Sequence, residues 1–255
     1  MVPIFNISST GASATAWLTK LLNRHPSIVC LHALREDPFD DNREIEPADM
    51  VKGLLDLCYR TKELRCFGVI HSYYDTKVYD AVKAGHGGFM AIVRHPVNRI
   101  HSLFNHHYRE ISGHTVRDGD IYGTIVADGA VRDFLPMFET RVTDTLYADM
   151  ANLTKAQPEE IALFEQLTSD ADYCRAKLEV MLDEDLGPFD FVIRGELDNK
   201  FNQHAAVAQS AEDIYERWPR PYRDCFQEYA TRIGLVGVRD VYRHFGYDVA
   251  PMLVA

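Results

Sequence analysis

Two short stretches of this 255-residue chain carry side chains spaced to hold an anion. The first, SSTGASATAWLTKLLNRHP at 8–26, runs from an apolar strand into an amphipathic helix. Gly11, Ala12, Ser13 and Ala14 leave the backbone uncovered, and Ser13 and Thr15 add hydroxyl donors. The first N–H groups of a helix lack partners and sit at the positive end of its dipole, so a phosphate or sulfate can satisfy both. The loop itself holds no lysine or arginine, and the pattern GxxxxGK[ST] is not met, which argues against an ordinary ATP or GTP site. Alone, the stretch reads equally as a small-residue helix start capped by Ser13. The second stretch, FMAIVRHPVNRIHSLFNHHY at 89–108, reads as strand, turn at His95-Pro96, and helix. It sets Arg94 at the carboxyl end of the strand, where open α/β sheets bind ligands, with Arg99 and Ser102 on the helix behind. A guanidinium fork beside a serine hydroxyl suits a phosphate monoester.

The elements that must position these groups follow from the apolar pattern. PIFNI (3–7), SIVCL (27–31), CFGVIHS (66–72), FMAIV (89–93) and FDFVIR (189–194) are short continuous runs of the kind buried on both faces of a parallel sheet. Helical spacing lies between them at 15–24, 47–62, 76–84 and 97–109, and again at 203–246. This rhythm predicts an α/β fold: three layers, αβα, around a central, mostly parallel sheet of about five strands, P-loop NTPase-like. The rhythm breaks at 112–187, which reads as a mainly helical insertion with Pro158 opening one helix ahead of EEIALFEQL, so 1–255 is expected as one domain with that insertion.

A 46% hydrophobic and 11% aromatic composition supports a packed core. The net charge of −11 disfavours nucleic acid and anionic membranes as partners, since both need a basic face. Cys30, Cys58, Cys66, Cys174 and Cys225 include no CxxC pair and are expected as reduced thiols. The opening MVPIFNISS lacks a basic n-region and a long apolar run, and no window reaches the length of a membrane helix, so the expectation is a cytoplasmic protein. His101, His106 and His107 do not share a helix face, and no metal is expected.

Together the two anion-holding stretches resemble the sulfotransferases that use 3′-phosphoadenosine 5′-phosphosulfate (PAPS). The family's first loop, K/R-S-G-T-T-x-L, is echoed by Ala12-Ser13-Ala14-Thr15-Ala16-Trp17-Leu18. Its second segment, R-x-P-x-x-R-x-x-S, is matched without a gap by Arg94, Pro96, Arg99 and Ser102. FVIRGELDN (191–199) and DVYRHFGYD (240–248) resemble two later family segments. The resemblance implies the P-loop-like fold, residues 11–17 around the phosphosulfate, and Arg94 and Ser102 on the 3′-phosphate. It also implies transfer of a sulfuryl group from PAPS to a hydroxyl or amine of a small-molecule or glycan acceptor.

The chain departs from the family at Ala12, where most members carry a lysine or arginine that stabilises the leaving oxygen, and at Ala16. A cation from Lys20, Arg35 or Arg99 could replace it, backbone amides with Ser13 and Thr15 could suffice, or the chain binds nucleotide without catalysis. The acceptor also needs a base, and His32, Glu36 and His71 all lie at the carboxyl ends of predicted strands. The alternatives to an active sulfotransferase are a catalytically impaired homologue and a divergent P-loop nucleotide kinase. The acceptor, the oligomeric state and the base are left open by the residues.

Overall fold

Runs of apolar residues buried on both faces assemble into one five-stranded, all-parallel sheet in the computed structural model of the protein. The structure describes residues 4–9, 15–32, 65–72, 76–112, 120–153, 156–187, 210–232, 240 and 242–252. The described elements run β1 (Ile4–Ser8), α1 (Thr15–Leu22), β2 (Ile28–His32), β3 (Cys66–Ser72), α2 (Thr76–Ala84), β4 (Gly88–Val93) and α3 (Pro96–Ser112). They continue with α4 (Ile121–Ala127), α5 (Leu135–Leu153), β5 (Ile161–Leu163), α6 (Phe164–Ser169), α7 (Ala171–Leu182), α8 (Ala211–Arg217) and α9 (Arg220–Arg232). The chain divides into two compact units, 1–93 with 156–201, and 94–155 with 202–255.

The first unit holds the sheet, in the order β2-β3-β1-β4-β5. Alternation along the strands sends Phe5, Ile7, Ile70, Met90 and Ile92 into one core with Trp17, Leu18, Leu21 and Leu22 of α1 and with Leu178 and Met181 of α7. The opposite face meets α2, where Tyr79 stands edge-on to Phe89 at 4.8 Å. Helices therefore cover both faces, as a sheet apolar on both sides requires. Close approach explains two glycines: a Cβ at Gly68 would overlap Phe5, and one at Gly88 the Met181 carbonyl oxygen.

Four of the expected strands form within a residue or so of their predicted ends, whereas the fifth expected run, 189–194, lies outside the described residues. The fifth strand observed is Ile161–Leu163, inside EEIALFEQL, which the sequence led us to expect as helix. Three residues are too few to show a period of two, and their extended form is fixed by pairing with Ala91, Ile92 and Val93 of β4.

The second unit is helical. Its core is aromatic: Phe138 stacks on Tyr222 at 4.4 Å and meets Phe104 and Trp218 edge-on at 5.4 and 4.9 Å. Asp120 and Ser210 cap α4 and α8, each side chain accepting a first-turn N–H. No helix among the described residues is long and apolar enough to cross a membrane.

Candidate functional site

The chain leaving β1 returns as β2 on one side of the sheet, and the chain leaving β4 returns as β5 on the other. The carboxyl ends of these adjacent strands, paired in register from Phe5 with Gly88 to Ser8 with Ala91, form the switch point at which open α/β sheets bind ligands. Both stretches expected to hold an anion begin there: one follows Ser8, and Arg94 follows Val93 directly. Sequence spacing alone could not place β1 beside β4.

In the sheet unit, residues 10–14 lie outside the described residues, so Gly11, Ala12, Ser13 and Ala14 are not located, and neither is Glu36 nor the His71 side chain. Thr15 is buried at the start of α1 and hydrogen-bonds Nε2 of His32, the last residue of β2, at 3.0 Å. Two residues picked out separately, one as an anion-loop donor and one as a base, are thus in contact. Thr19 anchors the same turn by donating to the Thr15 carbonyl at 2.9 Å. Trp17, expected beside the loop's ligand, is a core residue at 6% exposure, packed with Leu18, Leu21 and Leu22, while Ala16 is half-buried. Lys20 is exposed on α1. Burial raises the thiols of Cys30 and Cys174 to about 12, so neither offers a nucleophile.

In the helical unit, Pro96 starts α3 with its missing N–H where none is needed. Arg94 and Ser102 are half-buried and accessible. Arg99, expected among the ligand's contacts, is instead covered to 1% exposure and paired with Asp149, also at 1%. Asp149 accepts from Arg99 with one oxygen and from the Tyr242 hydroxyl with the other. Burial raises the Asp149 carboxyl's pKa, and the Arg99 charge and the two hydrogen bonds oppose that rise. The ion pair is made through one guanidinium nitrogen, Nη1, and links α3 to α5. His95, buried, meets Tyr247 edge-on at 5.6 Å. Tyr242 and Tyr247 both belong to the C-terminal DVYRHFGYD stretch, which therefore braces the start of α3.

Asp149 falls in no local motif of the sequence. A signal existed: α5 buries Phe138, Val142, Thr145 and Leu146 at helical spacing, and an aspartate continuing that stripe needs a buried partner. Tyr122, whose hydroxyl meets Nδ1 of His101, and Trp218, whose N–H donates to that hydroxyl, are likewise brought together only by tertiary packing. At the amino edge of the sheet a cavity of about 280 Å³ is lined in part by Ile4, Lys83, Gly88, Glu160, Lys177 and Met181. Its buried Glu160 is already met by Lys83, the Tyr79 hydroxyl and the Gln157 N–H. The described residues include no group of three or more His, Cys, Asp or Glu placed to hold a metal ion.

No family model matches the sequence, and no curated protein matches it. Among solved structures the chain is similar to a sulfotransferase from Alicyclobacillus acidocaldarius, at 17% sequence identity and a TM-score of 0.44, over 99% of each chain.

Proposed function

We propose that the protein is a sulfotransferase that moves a sulfuryl group from PAPS to a hydroxyl or amine of a small-molecule or glycan acceptor. The observation that carries this reading is the origin of both anion-holding stretches at the carboxyl ends of β1 and β4, the adjacent strands of the switch point. The residues on hand fit a doubly anionic nucleotide. Arg94 and Ser102 are accessible to hold its 3′-phosphate, and the helix start at Thr15 suits its phosphosulfate end, with residues 11–17 completing that loop. PAPS, when bound, supplies the sulfuryl group. The chain's own work is to orient the anion through backbone amides and the Thr15 hydroxyl, and to take the acceptor's proton. His32, tied to Thr15, is the proposed base, with Glu36 and His71 the alternatives. The alanine at position 12 removes a cation that would stabilise developing charge, a loss of about 3 kcal/mol in comparable sites, so slow turnover is expected.

Titration calorimetry with adenosine 3′,5′-bisphosphate against ADP tests the nucleotide. Preference for the bisphosphate supports the reading, and indifference to both sinks it. Labelled-sulfate transfer over an acceptor panel tests the chemistry, with Ala12→Lys expected to raise turnover. Tight binding without transfer by either form would make the protein a nucleotide-binding homologue.

A further inference from the structure

The cavity at the amino edge of the sheet is lined by Ile4, the first residue of β1, about 13 Å along that strand from Ser8 at the switch point. Its charged groups are unequally matched. Glu160, buried, is neutralised by Lys83 and accepts from the Tyr79 hydroxyl and the Gln157 N–H. Lys177, half-buried on α7, has three ammonium hydrogens to give, and one goes to the Glu159 carbonyl at 3.1 Å. The Tyr173 ring lies 5.9 Å from that nitrogen, and among the described residues no carboxylate comes within ion-pair distance of it. The carboxylates of Glu159 and Asp183 also line the cavity, but both residues are exposed, so water screens them. The charge left uncompensated inside is therefore positive.

An apolar wall continues from that charge. Val180 and Met181 follow Lys177 by three and four positions, so they share its face of α7 one turn further on. Val180 at 62% exposure and Ile4 at 42% are large apolar side chains left open to water, and both line the cavity. His86 and Asp183, the non-glycine residues with positive φ among the described residues, line it too. His86 takes φ 53° between Gly85 and Gly87, where a glycine would be unstrained, and so sets an imidazole beside the cavity at a conformational cost. We propose that this cavity binds a small amphipathic monoanion, a carboxylate on a short apolar chain, with its head on Lys177 and its tail along Val180, Met181 and Ile4. The site is separate from the switch point and does not depend on the nucleotide reading. Its occupant bridges α7 and β1 and so stabilises the sheet unit.

Methyl NMR of the full chain titrated with hexanoate tests this, with hexanamide and hexylamine as neutral and cationic probes of the same chain length. Hexanoate should shift the Ile4, Val180 and Met181 methyls and leave Ile121 and Ile125 of the helical unit unmoved. For a ligand of about eight non-hydrogen atoms, a dissociation constant on the order of 1 mM is expected. Hexanamide should bind about tenfold more weakly. Lys177→Met, which keeps the apolar stem, should weaken hexanoate about tenfold, and Lys177→Arg should hold it within about threefold. Val180→Glu, at an exposed position, should also weaken it about tenfold by placing a like charge against the tail's wall. Hexylamine bound in preference would make Glu159 and Asp183 the anchors and overturn the proposal. So would hexanoate binding that Lys177→Met leaves within about twofold, or no shift with any of the three probes. Should Lys177→Met fail to fold, hexanoate binding unchanged by Val180→Glu overturns it instead. The nucleotide reading survives each of these results, because calorimetry with the bisphosphate decides it separately.

Discussion

Asp149→Asn is the sharpest probe of how this protein builds its second motif. The carboxylate sits at 1% exposure between Arg99 and the Tyr242 hydroxyl, so the substitution keeps shape and removes charge. Breaking a buried pair by neutralising one partner leaves the other charge desolvated, at about 3–5 kcal/mol. The Tyr242 hydroxyl also loses its anionic acceptor, worth about 1–3 kcal/mol if nothing replaces it. Even the lower figure is a large share of a typical folding free energy of roughly 5–15 kcal/mol. Removing both charges with apolar groups of similar volume, Arg99→Met with Asp149→Leu, should return all but the Tyr242 contribution, and adding Tyr242→Phe should return that too. Denaturant unfolding followed by Trp218 fluorescence in a Trp17→Phe background reports on the helical unit. Calorimetry with adenosine 3′,5′-bisphosphate reports on the ligand. The folded triple variant is expected to bind within about threefold of wild type, because Arg94 and Ser102 are untouched. A single substitution costing under about 1 kcal/mol would refute the buried charge pair. A stable triple variant that no longer binds would refute the scaffold role of Arg99 and return it to the ligand's contacts.

His101 makes stability depend on pH. Its ring stays neutral in the folded chain down to about 4, while the unfolded ring protonates near 6.5. Its contribution is therefore complete above the unfolded value and falls away as the pH drops through that window, by about 3 kcal/mol in all. His101→Gln should flatten this part of the curve, and an unchanged curve would count against a buried neutral ring. Gly88→Ala drives a Cβ into the Met181 carbonyl oxygen, and is expected to cost about 1–3 kcal/mol, read as a lower Tm. Thr15→Val removes the hydroxyl that meets His32. It should slow sulfuryl transfer about tenfold or more while costing stability only about 1 kcal/mol, and unchanged turnover would refute a role for the contact.

Several features were legible before any coordinates. Strands β1 to β4 announce themselves as short runs that are apolar almost throughout, with both faces of β4 and one face of the edge strand β2 largely buried. The start of α3 is fixed locally by His95-Pro96, and the residues of its motif lie within one stretch of chain. What the sequence could not carry is anything decided by distance across the fold. Strand β5 is extended only because β4 offers it a ladder, and three residues hold no period of their own. The adjacency of β1 and β4, whose carboxyl ends the two stretches follow along the chain, is a matter of strand order. Arg99 and Arg94 look alike in the sequence, and only packing separates them. Asp149 and Tyr242 draw one into the core as a neutralised pair, while the other stays within reach of water. Likewise His101 reads as one of several histidines until Tyr122, remote in sequence and itself met by Trp218, comes within hydrogen-bonding distance of its ring. Local chemistry wrote the elements and their motifs. Long-range burial decided which of the charged and polar groups are left to meet a ligand, since a desolvated group must take its partner from wherever the fold brings one.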